Sequence, residues 1–394
     1  MTRMYLVRHA EAEGNLYRRI HGWYNALITQ NGYRQIEALE QRFSQIHIDA
    51  VYSSDLFRTM TTASAVWRPK QLPLHTLPQL REINMGDWED ESWGWAARYD
   101  GESLLRFNAF DPDWRAPNGE NLQEVRDRME TTLRKIAADH PDQTVAVFSH
   151  GTAIRCAQSA FYGYSIAECN DRLSHSDNTA VTLLEFDGDH VEVVYADDNS
   201  HLPDEISTLA RQDWWKTKGT NIHQKNLWFR PLDVCGEEAD YYLKARREAW
   251  RSIHGSMKHF TGKAFLEEAQ ENAKKNPWSI YCALLEDRPV GLIQLDFDRY
   301  ADENVGYIPF FYMDPITRKH GFGVQLLGQA VSAFRPMGRD KLRLRCAPDN
   351  EVAQRFYQRY GFQKIGEAPG TRVPLDLLEK NIGYQDLRVM NTEG

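Results

Sequence analysis

The chain is 394 residues long, 42% hydrophobic and 26% charged, enough for two or three domains with apolar cores of their own. Its formal net charge of -9 argues against a general nucleic-acid binder, and no apolar run approaches the length of a membrane span. The charge is uneven: residues 1–200 hold 19 Lys and Arg against 30 Asp and Glu, whereas the remainder holds 28 against 26, which suggests two modules.

In chain order, Tyr5 to Val7 reads as a short buried strand. Ile36, Leu39 and Phe43 recur at helical spacing, and Val51 to Ser53 ends the next strand. Val125, Met129, Leu133 and Ile136 mark a long amphipathic helix. Thr144 to Phe148 and Thr179 to Phe186 are further strands. The alternation predicts an α/β sandwich with helices on both faces, its ligands at the carboxyl ends of the strands. A polar stretch around Lys216 to Lys225, lacking apolar periodicity, predicts a linker; the expected division is 1–215, linker 216–226 and 227–394. Beyond it, Leu227 to Arg230 is a strand, and a helix runs through Tyr241 and Trp250. Ser279 to Leu285 and Val290 to Phe297 form a hairpin, and Gly306 to Met313 is a strand. A helix follows from about Gly321, then the half-buried strand Leu342 to Cys346, then a helix bearing Ala353, Phe356 and Tyr357. This half predicts one mixed sheet.

Several reactive residues fall where strands of the first half end. They are Arg8-His9, with Asn15 in the loop; Ser53-Ser54-Asp55, with Arg58; Leu80-Arg81-Glu82; and Ser149-His150-Gly151. Phosphoryl transfer needs an in-line nucleophile, cations on the equatorial oxygens and an acid for the leaving oxygen. Histidine serves as nucleophile, and arginine grips two oxygens in its planar fork. Taken singly, each of these residues also reads as an ordinary surface or core residue. Together they resemble the histidine phosphatase superfamily, in its phosphoglycerate-mutase-like branch, over about residues 1–205. Gly22, Leu27, Thr29 and Gly32, the run Ser53 to Thr59, and Gly86, Trp88 and Glu89 extend the match. Ala10 and Asp90 depart from it at positions where many members have glycine, and Asp90 is expected to touch a loop and not the chemistry.

The resemblance implies a three-layer α/β/α sandwich in which His9 attacks phosphorus and becomes a phosphohistidine. It implies that Arg8, Arg58 and His150 neutralise the phosphoryl oxygens, with Asn15 and Gly151 lining the phosphate site. Glu82 then protonates the leaving oxygen and activates water, and no metal is required. Hydrolase and mutase share this pocket. The segment with Asp87, Glu89, Asp90 and Glu91 beside Trp88, Trp93 and Trp95 reads as acidic and aromatic cover, suited to a phosphatase whose substrate is less anionic than a carboxylated phosphate, and its carboxylates also read as an attractor for an ammonium group on that substrate. The same tryptophans also read as core, and the same carboxylates as a solvated loop.

In the second half, Arg318-Lys319-His320-Gly321-Phe322-Gly323 runs from a strand end into a helix start. Glycines there let backbone wrap a pyrophosphate at a helix N-terminus. With Asn350, Ala353, Phe356-Tyr357 and Gly361-Phe362 downstream, this resembles the GNAT acetyltransferase family over about residues 227–391. The resemblance implies a GNAT α/β fold using acetyl-CoA as co-substrate and an amine as acceptor. It implies that residues 318–323 hold the coenzyme A pyrophosphate and that the backbone of Phe311, Tyr312 and Met313 pairs with the pantetheine arm. Asn350 joins that cofactor site, and Tyr357 is the acid for the departing thiolate. Glu303 and a water chain are both candidates for the base.

Five cysteines without a Cys-x-x-Cys pair predict reduced thiols in a cytoplasmic protein, and 13 histidines without ligand spacing predict no metal site. The expectation is a bifunctional enzyme, with no nucleic-acid or membrane partner, that hydrolyses a small phosphomonoester and acetylates an amine. The alternatives are a phosphatase regulated by an acetyl-CoA-binding module and a mutase fused to an acetyltransferase.

Overall fold

The computed structural model describes residues 1–212, 225–370 and 373–384. Most of the expected linker, residues 216–224, lies outside them. The described residues form two compact units: 1–91 with 99–212, and 92–98 with 225–384.

The first unit contains, in order, β1 (Thr2–Arg8), α1 (Glu13–Tyr17), α2 (Gln30–Phe43), β2 (Ala50–Ser53), α3 (Phe57–Trp67) and β3 (Leu74–Thr76). After α4 (Trp93–Tyr99), most of which belongs to the second unit, come α5 (Gly101–Asn108), α6 (Leu122–Asp139), β4 (Thr144–Ser149), α7 (Gly151–Tyr162), α8 (Cys169–Arg172), β5 (Val181–Asp187), β6 (His190–Asp198) and α9 (Thr208–Arg211). The strands order as β3-β2-β4-β1-β5-β6. The β1–β4, β2–β4 and β2–β3 pairs are parallel, and β5 runs antiparallel to β1.

Central β4 explains why this half reads so plainly. Val145, Ala146, Val147 and Phe148 are fully buried, the continuous apolar run of a parallel strand covered on both faces. α6 presents Val125, Met129, Leu133 and Ile136 to the core, and its first turn is closed by the reciprocal Asn121–Glu124 capping box. β3 and the edge strand β6 are strands that the sequence does not mark. The first has three residues, and the second alternates only between exposed and half-buried positions, so neither carries a strong apolar pattern.

The register then sets the site. Arg8 lies opposite Ser149 and Ser53 opposite Phe148, so the carboxyl ends of β1, β2 and β4 align. The chain leaves each of them carrying His9, Ser54 or His150.

The second unit has β7 (Trp228–Pro231), α10 (Ala239–His254), α11 (Gly262–Lys275), β8 (Ile280–Leu285), β9 (Arg288–Asp296) and β10 (Val305–Met313), then α12 (Gly323–Phe334), β11 (Lys341–Cys346), α13 (Glu351–Arg359), β12 (Gln363–Ala368) and β13 (Leu375–Asn381). Its sheet orders as β12-β13-β11-β10-β9-β8-β7, and within it β10 and β11 are parallel. They pair only from Val305–Lys341 to Ile308–Leu344, although both strands continue. Beyond that point they part, and a bulge between Tyr307 and Phe310 bends β10. The backbone of residues 309–313 therefore has no partner on its β11 side.

Candidate active sites

In the first unit His9 is 6% exposed, with its ring centroid 5.2 Å from that of His150. Its Nδ1 lies 2.7 Å from the Ala10 carbonyl. A carbonyl oxygen only accepts, so Nδ1 carries the proton and Nε2 carries the lone pair. Burial, then the Arg58 and Arg8 guanidinium charges, hold the His9 pKa well below the usual histidine range, so the ring is neutral at pH 7.

Arg58, in the first turn of α3, is 1% exposed, and burial lowers its pKa to about 10. Its guanidinium donates to the carbonyls of Gly22 (2.7 Å), Tyr24 (3.0 Å) and His21 (3.3 Å), and its Nε donates to His150 Nδ1 at 3.2 Å. Accepting at Nδ1 places the His150 proton on Nε2, which donates to Ser54 Oγ at 2.9 Å. Arg8 donates to the Ser176 carbonyl, while its buried Nε has no partner. A Cβ at Gly151 would sit 3.2 Å from that nitrogen, so glycine there lets Arg8 lie against the start of α7. Neither Arg8 nor Arg58 has an ion-pair partner among the described residues. Asn15 is drawn in through Asn178, whose Nδ2 donates to the His9 carbonyl (2.9 Å) and reaches Asn15 Oδ1 at 3.5 Å.

Glu82 accepts from the backbone N–H groups of Ile83 (3.0 Å), Thr152 (3.0 Å) and Ala153 (2.9 Å). It thus caps α7, the helix that begins just after His150, and this ties its carboxylate to the histidine end of the site. The arrangement offers a lone-pair nitrogen, two cations without carboxylate partners among the described residues, and a carboxyl group, near the carboxyl ends of the parallel strands β1, β2 and β4.

In the second unit the loop after β10 holds Lys319 at φ +67° and Gly321 at φ +82°; nothing lies within 4 Å of where a Gly321 Cβ would stand. Two left-handed residues bracketing His320 and leading into α12 are a turn suited to an anion. With the unpaired edge of 309–313, these features fit a phosphate-bearing thioester carrier. Arg318 anchors the loop, donating to the Met313 carbonyl at 2.9 Å and pairing with Glu248 at 2.5 Å. Phe322 stands at the residue before α12 without a side-chain cap, while His320 is exposed. Asn350 accepts from Ala353 N at 3.3 Å as the cap of α13. Tyr357, 7% exposed, meets Phe311 at 6.0 Å between ring centroids. Burial, then Cys346, push its pKa well above the usual tyrosine range, so the hydroxyl keeps its proton.

Residues 4–199 match the Histidine phosphatase superfamily (branch 1). A probable phosphoglycerate mutase GpmB of Proteus mirabilis is 34% identical over 165 residues, which is 41% of this chain and 76% of that protein. The chain belongs to the histidine phosphatase superfamily. Phosphoserine phosphatase 1 of Hydrogenobacter thermophilus is 30% identical over 168 residues, covering 43% of this chain and 80% of that protein. Residues 243–362 match the Acetyltransferase (GNAT) family, whose members use acetyl-CoA as co-substrate, so the same chain carries a second enzyme domain. Among solved structures, Bacillus stearothermophilus YhfR is similar at 28% identity and a TM-score of 0.49, covering 51% of this chain and 99% of that one.

In the histidine phosphatase domain, sequence reasoning undervalued the acidic segment after Glu82. Glu89 accepts four backbone N–H bonds, from Trp23 (2.6 Å), Tyr24 (2.7 Å), Met85 (2.9 Å) and Gly22 (3.1 Å). It therefore builds the loop whose carbonyls hold Arg58. Asp90, at φ +59°, takes the glycine-type backbone but pairs with Arg19 (2.8 Å) and His21 (3.3 Å). That corrects the expectation that Asp90 stands clear of the chemistry, because the His21 carbonyl is one of the three that hold Arg58. Asp87 accepts from Asn118. With Glu89 and Asp90 engaged inside the fold, the acidic cover for an ammonium group is withdrawn. Trp88 is core, its ring tilted against that of Trp114 at 5.8 Å between centroids, and Trp95 packs on the apolar core of the second unit. Asn178 carried no signal in sequence, since its role arises only when β5 returns beside β1.

In the GNAT domain Glu303 is corrected as a base. It lies in the turn before the start of β10, about 10 Å of strand before the last β10–β11 pair, and pairs with Arg343 at 2.8 Å.

Proposed function

We propose that the chain is bifunctional, hydrolysing a phosphomonoester through phosphohistidine and transferring acetyl from acetyl-CoA to an amine, with domains divided at 1–215, 216–226 and 227–394. The observation that carries the first activity is the neutral His9, its Nε2 lone pair fixed by the Nδ1–Ala10 hydrogen bond, beside Arg8 and Arg58. In this reading Nε2 attacks phosphorus, the ester P–O bond breaks, and Glu82 gives its proton to the leaving oxygen. Water then attacks the phosphohistidine, the P–N bond breaks, and Glu82 takes the water proton. Arg8, Arg58 and the Nε2–H of His150 hold the oxygens throughout, with Asn15 and Gly151 lining the phosphate site. Hydrolysis is favoured over relocation of the phosphoryl group. Arg19 and Arg81, in loops near Glu82, and Arg128, on α6 beside it, already pair with Asp90, Asp55 and Glu120, so none is spare for a second anionic group on the substrate.

For the second activity, Lys319 to Gly323 would hold the pyrophosphate, anchored by Arg318. The backbone of Phe311, Tyr312 and Met313, on the side turned away from β9, would pair with the pantetheine arm, and Asn350 would hold the start of α13 in place. Acetyl-CoA supplies the acyl group when bound, and the Tyr357 hydroxyl is the proton source for the thiolate. The test is a panel of phosphomonoesters and amines offered to the full chain, following free phosphate and free thiol. Phosphate released with no acceptor found, but with acetyl-CoA bound, would favour the regulatory-module reading. Phosphate relocated rather than released would favour a mutase.

A further inference from the structure

The sheet of the second unit has two faces with different chemistry. Phe311 and Cys346 face α13, on the side assigned above to the thioester carrier. Phe310 and Tyr312 face α10, in a core with Tyr242, Ala245 and Leu292. Tyr307 and Gln294 share that second face: Gln294 lies opposite Phe310 and reaches Tyr242 on α10, and Tyr307 lies opposite Asp296, two residues along β9.

Two arginines on this face have no carboxylate partner among the described residues. Arg246, half-buried on α10, rests 3.9 Å from the Phe310 ring centroid, with Tyr242 and Phe265 also beneath it. Its hydrogen bonds go to neutral groups, the Tyr242 hydroxyl at 2.9 Å and Gln294 Oε1 at 2.8 Å. Arg345 stands on β11 one residue past the last β10–β11 pair, in the parting of the strands, with its guanidinium 6.0 Å from the Tyr307 ring centroid. Its Nε is buried without a partner. Tyr307 and Phe310 are about 10 Å apart along the strand, so the two cations flank one stretch of the opened sheet.

Gln294 adds a third donor. It is fully buried, Oε1 accepts from both Tyr242 and Arg246, and Nε2 has no partner. Rotating the amide would set its NH2 against Arg246, so its orientation is fixed. Arginine in proteins stays charged and offers no acceptor, and an amide NH2 only donates. A buried donor left unpaired is costly, and an oxyanion is the ligand that answers such donors. By contrast Arg343, on the same strand, is neutralised by Glu303 and Glu379.

We propose that this face is the acceptor site and that the acetyl acceptor is an anionic amine, its carboxylate or phosphate held by Arg246, Arg345 and Gln294. The proposal rests on the acetyltransferase reading for turnover, but its anion site is testable without it. Serine, O-phosphoserine, serinamide and ethanolamine would be compared as acceptors with the full chain, following thiol release. They would also be compared as ligands of the coenzyme A-saturated protein by calorimetry.

The expected result is that serine and O-phosphoserine bind and are acetylated with KM at least tenfold below that of serinamide and ethanolamine. Arg345→Gln should remove that preference by raising KM for the anionic amines tenfold or more, with coenzyme A affinity retained as the control for folding. Arg246→Gln should act in the same direction. Equal or better use of serinamide or ethanolamine would overturn the proposal and leave the acetyltransferase reading standing. Binding of the anionic pair that depends on Arg345, without thiol release from any amine, would uphold the anion site and sink the acetyltransferase reading. Absence of binding by all four would overturn the anion site.

Discussion

The Glu89 carboxylate is the strongest lever on the phosphatase site that does not itself face phosphorus. Replacing Glu89 with Gln keeps the shape and exchanges one oxygen for an NH2 group. Each oxygen serves two backbone N–H groups, Oε1 those of Trp23 and Met85, Oε2 those of Gly22 and Tyr24. Whichever way the amide turns, two backbone donors face another donor. These donors are part-buried and that of Trp23 is exposed, so at the lower end of the cost of an unsatisfied donor, about 1–2 kcal/mol each, the loop loses about 2–4 kcal/mol of support. The loop is what places Arg58, through the carbonyls of His21, Gly22 and Tyr24. If about 3 kcal/mol of that appears at the site, kcat/KM for a phosphomonoester falls about 100-fold. The competitive inhibition constant of inorganic phosphate should rise by a similar factor, because the fork that grips the oxygens is no longer fixed. Steady-state kinetics with phosphate and vanadate as inhibitors measure both. A Glu89→Gln enzyme with kcat/KM within threefold and phosphate inhibition within twofold of the parent would refute the link from Glu89 to Arg58.

Three further outcomes are expected. His9→Ala should lower phosphatase turnover by about 10⁴-fold or more and abolish the acid-labile phosphoprotein while coenzyme A binding persists; surviving turnover would remove His9 as nucleophile. His9, His21 and His150 are all held below the usual histidine pKa chiefly by burial, and His201 is lowered to about 4 for the same reason. The unfolded chain takes up protons below about pH 6.5 that the folded one refuses, so stability must fall as pH drops from 7 to 5, by up to about 1.4 kcal/mol per pH unit for each such histidine. Denaturant melts that stay flat over that window would contradict it. In the GNAT domain, a Cβ at Gly323 meets Phe356 at 3.1 Å, whereas Gly321 has open space but φ +82°. Gly323→Val should therefore weaken coenzyme A binding and lower Tm by repacking α12 against α13, and Gly321→Val should weaken binding through backbone strain alone, with a smaller Tm change. Calorimetry with coenzyme A, paired with thermal melts, separates the two.

What the sequence by itself determined was the set of chemical groups and the strands that carry them. The fully buried run Val145 to Phe148, the helical spacing of Val125, Met129, Leu133 and Ile136, and the motif residues around His9, Arg58, Glu82 and His150 are local patterns, written in consecutive residues with a period of their own. The glycines from Gly321 to Gly323 are local in the same sense, because a left-handed turn is a property of a few adjacent dihedrals. Tertiary structure alone decided what each charge is for. Glu89 and Asp90 look like solvated carboxylates until the 20–24 loop folds over them, and Glu303 looks free until β11 brings Arg343 alongside. Arg246 and Arg345 are 99 residues apart and unremarked in sequence, yet the sheet sets both on one face beside Tyr307 and Phe310. A charge acts through distance and burial, and for residues this far apart both are set by the register of the strands rather than by any neighbour in the chain.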